Sequence, residues 1–283
     1  MNISKSRFPT FPLLLLMLSF CINACTAKST SADAKLEAGI PAALGTSKLV
    51  FESAQGIHLQ TPGKKPELLV DGGKWPRWSP DGNTVAFLKG KDVCIIHLPS
   101  KEIKVLAKTE TPKTLVFSHD GSEIWFSDGK AVRAVSVNTL NKRVLVEDGE
   151  FLEIDSGPES KTLVATVKSF GYKVKVFDLE NNQNRSLGKG CSASLSPDGK
   201  YATNNLDGHK ELAIVKVSDG EREKTLPAPE GMLTDNQFWS NHPDWIMSME
   251  EESGHLLAHR FSDGKVWELS DVSGADRPDL WVP

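Results

Sequence analysis

The chain has no Cys-x-x-Cys pair and no histidine-rich tract, so its spacing offers no structural zinc frame. No Gly-x-Ser-x-Gly elbow occurs and no α/β segment follows to carry one, which excludes a serine peptidase of the hydrolase type. The nearest stretch, Gly190-Cys191-Ser192-Ala193-Ser194, ends on serine where glycine is required. Positive charge is not in excess. Lys plus Arg is 33 against 37 for Asp plus Glu, and a net charge of −4 argues against a nucleic-acid partner. Beyond the N-terminus no run is long and apolar enough to span a membrane.

What the chain does have is a repeat. Trp78-Ser79-Pro80-Asp81-Gly82 returns as Phe117-Ser118-His119-Asp120-Gly121 and as Leu195-Ser196-Pro197-Asp198-Gly199. The first step is 39 residues (117 − 78) and the second is 78 (195 − 117), twice the first. Midway in the longer step lies a worn copy, Ser156-Gly157-Pro158-Glu159-Ser160. Strand-like runs flank each copy, and proline, aspartate and glycine are the residues a tight turn needs. A period near 40 in a strand-rich chain predicts a β-propeller with one four-stranded blade per repeat. Lys48 to Phe51 reads as a second strand without a first, and Arg277 to Val282 as a first strand without a second. Pairing the two predicts an all-β, six-bladed propeller over residues 47–283, closed by the C-terminal strand completing the N-terminal blade.

The N-terminus is set apart from this fold. Lys5 and Arg7 precede an apolar core from Leu13 to Ile22, too short for a membrane helix, and residues 1–24 read as a signal peptide. Ile22-Asn23-Ala24-Cys25 resembles a bacterial lipobox, which implies lipidation at Cys25; ordinary cleavage near Ala27 and an uncleaved anchor remain alternatives. Thr26 follows the cysteine, and the absence of aspartate there leans toward the outer membrane. Residues 25–46, rich in Ala, Ser, Thr and Lys, are expected to form a flexible tether. Once Cys21 leaves with the signal and Cys25 is lipidated, Cys94 and Cys191 remain, expected as buried free thiols.

The Trp-Ser-Pro-Asp-Gly pattern resembles the WD40-like propeller repeat of the TolB type, over Lys48 to Val282. TolB proteins carry a further N-terminal domain and are soluble in the periplasm, so the expectation here is a TolB-like propeller lipoprotein. Relatives of the repeat serve as interaction platforms, as gating domains of peptidases and as oligogalacturonate lyase; the fold alone does not choose.

Two polar segments depart from the repeat: Thr203 to Glu211, and Thr234 to Trp245. Connections between second and third strands share one face of a propeller with those entering each blade, so His209 and Asp235 to Gln237 are expected on one face and His242 on the other. Asn204, Asn205, Asp207, His209, Asp235, Asn236 and Gln237 are the ligand-binding candidates, and His209, Asp235 and Gln237 the only trio suited to a metal. Ordinary loop chemistry is the competing account of these residues. Trp239, Trp245 and Trp281 could stack on sugars, but their repeat phase assigns them to packing. The function expected is a non-enzymatic, monomeric platform in the cell envelope. It would face the periplasm or exterior and bind an envelope protein or an oligosaccharide, with no cofactor and no membrane contact beyond its lipid. A metal-assisted, oligogalacturonate lyase-like enzyme is the alternative.

Overall fold

A computed structural model describes residues 34–283; the signal peptide and Cys25 lie outside the described residues. Strands account for nearly all regular structure. The first, β1 (Leu36–Glu37), lies outside the repeat; then come β2 (Lys48–Glu52), β3 (Gly56–Gln60) and β4 (Glu67–Asp71) of blade one. Blade two holds β5 (Lys74–Trp78), β6 (Thr84–Lys89), β7 (Asp92–His97) and β8 (Glu102–Lys108). Blade three holds β9 (Thr114–Phe117), β10 (Glu123–Ser127), β11 (Val132–Ser136) and β12 (Lys142–Val146). Blade four holds β13 (Glu150–Ser156), β14 (Thr162–Lys168), β15 (Tyr172–Asp178) and β16 (Gln183–Lys189). Blade five holds β17 (Tyr201–Leu206), β18 (Glu211–Lys216) and β19 (Arg222–Pro227). Blade six holds β20 (Thr234–Trp239), β21 (Trp245–Glu250), β22 (Leu256–Arg260) and β23 (Val266–Ser270). The last strand, β24 (Asp276–Trp281), pairs with β2, so the C-terminus completes blade one and the six-bladed ring closes.

The turns explain why the repeat is kept. Ser79 Oγ donates to Asp81 Oδ1 at 2.5 Å, and the same oxygen accepts the Asn83 N–H at 3.0 Å. Ser118–Asp120 and Ser196–Asp198 repeat the first bond at 2.7 Å. At Asp81 and Asp120 the serine hydroxyl is the main influence holding the carboxyl below its ordinary pKa. These carboxylates are therefore occupied in their own turns.

Alternation along each strand sends successive side chains to opposite neighbouring blades. Val93 and Ile95 of β7 pack with Leu115, Phe117 and Phe126 of blade three, whereas Cys94 and Ile96 pack with Val50, Ile57 and Val70 of blade one. Both faces are apolar because both are buried. The core is thus six seams between blades rather than one centre.

Two departures from expectation matter. The chain joins the disc earlier than residue 47, so the expected tether is shortened. Ala34 N–H donates to Ala228 O at 3.1 Å, β1 adds parallel to the outer edge of β23, and Leu44, in the short turn Ala42–Leu44, is fully buried between blades six and one. The innermost strand of blade five is reduced to bridges at Cys191–Asn205 and Leu195–Ala202. Gly188, Gly190 and Ser192 all have positive φ, which breaks the pleat there. The Thr203 side chain fills in for lost pairing: its Oγ1 donates to Ser192 O at 2.5 Å and accepts the Ser194 N–H at 2.9 Å.

Candidate functional site

The innermost strands run from one face of the disc to the other, and their repeat phase lines a central channel in rings. Arg77, Val116, Asp155, Ser194, Phe238 and Asp279 occupy one phase, each just before Trp78 or its equivalent. Five of them border a cavity of about 340 Å³ at the turn face, with Pro80, His119, Pro197, Asn241 and Trp281 around its rim. At the opposite mouth, Lys74, Trp75, Lys113, Glu153, Asp235, Asn236 and Arg277 border a cavity of about 660 Å³.

Several channel side chains bond the next blade. Asp279 accepts the N–H of Trp78 at 2.8 Å, Asp155 that of Leu195 at 2.8 Å, and Ser194 Oγ that of Trp239 at 2.8 Å. Each acceptor meets a main-chain donor that a neighbouring blade leaves free, which a buried N–H requires. Burial raises the pKa of Asp279 to about 6, against the opposing pull of Arg77, and raises that of Asp155 in the same way. Arg77 is 4 % exposed; its guanidinium lies 3.5 Å from the centre of the Phe238 ring and donates to Pro76 O at 2.7 Å, leaving Nη2 without a protein partner. Burial lowers the Arg77 pKa. At the other mouth Arg277 bonds Glu52 Oε1 (2.8 Å) and Asp276 Oδ2 (2.5 Å) and covers Trp75 at 4.3 Å.

The structure brings His209 and Asp235 together on the entrance face, as their connections require. Gln237 does not join them: it is fully buried and its Nε2 donates to Thr234 O at 2.7 Å. Cys191 takes the third place instead, with candidate ligand atoms of Cys191, His209 and Asp235 within 4.8 Å of one another. Sequence reasoning passed Cys191 over as a buried thiol, although it is half-buried. A usable signal existed: Cys191 precedes Leu195 by the interval at which Asp235 precedes Trp239, so adjacent blades present them side by side.

Asn205 supports the group, donating from Nδ2 to Asp235 Oδ1 at 3.2 Å and to Thr234 O at 3.0 Å. Asn204 is buried, with its amide against the backbone of Gly188 and Gly190. Asn236 donates to Asp276 Oδ1 at 2.6 Å at the channel mouth. Asp207 opens the short turn Asp207–His209 that carries the histidine. Trp239 and Trp245 are buried in seams, whereas Trp281 keeps an edge at the turn-face rim. Cys94 and Cys191 are unpaired. Among the described residues no helix is long and apolar enough to cross a membrane.

The architecture is that of a six-bladed β-propeller, a fold that this chain shares with TolB structures. Its structure matches that of TolB from Acinetobacter baumannii with a TM-score of 0.67 at 17 % identity, over 86 % of this chain and 68 % of the other. A TolB homologue from Agrobacterium tumefaciens matches at 0.65 and 15 % identity, over 82 % and 91 % of the two chains. An oligogalacturonate lyase in complex with manganese matches less well, at 0.55 and 12 % identity, over 80 % and 74 %. No known family pattern and no curated protein matches the sequence.

Proposed function

We propose that this protein is a non-enzymatic binding platform, held in the bacterial cell envelope by lipid on Cys25, whose turn face receives an envelope protein or an oligosaccharide. The observation that carries this reading is the engagement of Asp155, Ser194 and Asp279 with main-chain N–H groups of neighbouring blades. Residues so committed hold the ring and are poorly free for acid–base work. Around them the turn face offers a cavity of about 340 Å³ rimmed by proline, histidine, asparagine and tryptophan, a mixed surface suited to peptide or sugar contact.

The alternative is metal-assisted chemistry on an acidic oligosaccharide. It draws on the Cys191, His209 and Asp235 group at the opposite face. A photoreactive residue placed at His119 or Asn241, and in parallel at Glu67 or Lys142 on outer strands, separates the two readings in cells. Discrete adducts from the first pair alone support a platform. Silence at both turn-face positions, with cleavage of acidic oligosaccharide by the purified protein, overturns it. Wild-type protein that takes up no fatty-acid label would remove the lipid anchor from the proposal, and label that survives Cys25→Ser would remove Cys25 as its attachment point.

A further inference from the structure

The geometry points to a zinc-class divalent cation site formed by Cys191 Sγ, the His209 ring and an Asp235 carboxylate oxygen, with a fourth position open to solvent. The site is independent of whether the turn face docks a partner.

Two connections and one strand supply the ligands. Cys191 enters blade five, His209 closes the turn between β17 and β18, and Asp235 lies near the start of β20. Cys191 Sγ and His209 Nε2 are 3.8 Å apart, and the ligand atoms of the group all lie within 4.8 Å of one another. Zinc bonds of ordinary length arranged tetrahedrally place such atoms about 3.4–3.6 Å apart. Contraction by a few tenths of an ångström to about an ångström would therefore seat the ion.

The surroundings are those of a built site. The Glu251 carboxylate pairs with His209 Nδ1, which turns Nε2 toward Cys191. A carboxylate on the far nitrogen is how metal-binding histidines are commonly held. The Ser192 hydroxyl (2.8 Å) and Asn205 Nδ2 (3.2 Å) both donate to Asp235 Oδ1. Asn205 is 3 % exposed, and its own Oδ1 has no protein partner, so a buried acceptor in this cluster lacks a donor. Burial, reinforced by the charges of Asp235 and Glu153, pushes the Cys191 thiol up to about 12. A dication reverses that field: it binds sulfur as thiolate, and the thiol proton leaves to solvent. The mixed sulfur, nitrogen and oxygen set favours zinc over calcium or magnesium, which prefer oxygen alone. The ligands are half-buried, which leaves the ion a way in.

Cobalt(II) titration of the metal-stripped full-length protein tests this directly, because only a cysteine ligand gives the thiolate-to-cobalt charge-transfer band. The expected result is a saturable band at one cobalt per chain, displaced by zinc. It should be absent in Cys191→Ser and intact in Cys94→Ser. Asp235→Asn and Glu251→Gln should weaken binding by roughly tenfold or more, and zinc should raise the thermal midpoint of the wild type but not of His209→Ala. Unfolding of each metal-free variant reports whether it is folded. No band in the wild type, or a band that persists in folded Cys191→Ser, overturns the site. If Cys191→Ser fails to fold, an unchanged band in Asp235→Asn does the same.

Discussion

Asp279 and His259 are deeply buried, and burial pulls their protons in opposite directions. The Asp279 carboxyl rises from 3.8 to about 6, and the His259 imidazole, bonded to Ser248 Oγ at 2.8 Å, falls from 6.5 to about 4. Between pH 6 and 4 the folded chain holds a proton on Asp279 that the unfolded chain releases, so acidification favours the fold. Over the same window the unfolded chain takes a proton on His259 that the folded one refuses, so acidification opposes it. Each displacement is worth about 3 kcal/mol, and the two nearly offset. Burial shifts Glu153, Asp155 and Asp276 upward as well, on the side of Asp279. Urea midpoints measured from pH 7 to 4.5 should rise more on acidification in His259→Gln than in the wild type, and fall relative to it in Asp279→Asn. Profiles parallel to the wild type would refute the assignment. The amide oxygen introduced by Asp279→Asn can still accept the Trp78 N–H, so the variant tests charge rather than the seam bond.

At the scale of an element, the Pro-Asp-Gly turns look interchangeable in sequence but are not in place. A Cβ at Gly82 would sit 2.3 Å from the Trp281 indole at φ +66°, whereas one at Gly121 would meet nothing nearer than Pro80 Cδ at 3.4 Å, at φ +73°. Trp281 is fixed by its Nε1–H to Pro80 O (3.1 Å), and Lys48, which lies over it, donates to Gly82 O at 2.9 Å. Gly121→Ala should cost about 1 kcal/mol from backbone strain alone, and Gly82→Ala about 2–4 kcal/mol because the ring must also move. Equal losses in thermal unfolding would show that Trp281 yields freely. The contrast marks what a sequence can say. A period reports that a turn exists, its strands and its phase, and from these the six blades and their closure follow. It does not report which side chain from the far end of the chain rests on that turn. The β1 segment was illegible for a related reason: two paired residues and one buried leucine leave no alternation to read. Blade five hid its broken first strand because Thr203, a strand-forming residue, keeps its N–H bond to Ser194 O at 2.9 Å, while its hydroxyl donates to Ser192 O and accepts the Ser194 N–H. His209 and Asp235 could be placed on one face from topology, but Cys191 required comparing neighbouring blades position by position.

For the whole molecule, stability rests on a ring in which every blade needs two neighbours. Removing residues 276–283 deletes β24, strips blade one of its inner strand and takes Leu280 from the seam between blades six and one. The truncated protein should lose its cooperative thermal transition and self-associate through the freed edge of β2. A synthetic peptide covering 274–283 should restore the transition. A truncated chain that melts as a monomer at the wild-type midpoint would show that the seam is dispensable.

The pairing of Leu49 with Leu280 joins residues 231 apart (280 − 49). Blades two to four can each assemble from a single stretch of chain, but blade one waits for β24, more than two hundred residues downstream of β2. Loop closure over such a length is slow. Throughout that delay β2 to β4 is a three-stranded sheet with a bare inner edge, and the β24 segment of a second copy can fill it. The pairing that closes the ring is thus also the one through which two copies can entangle.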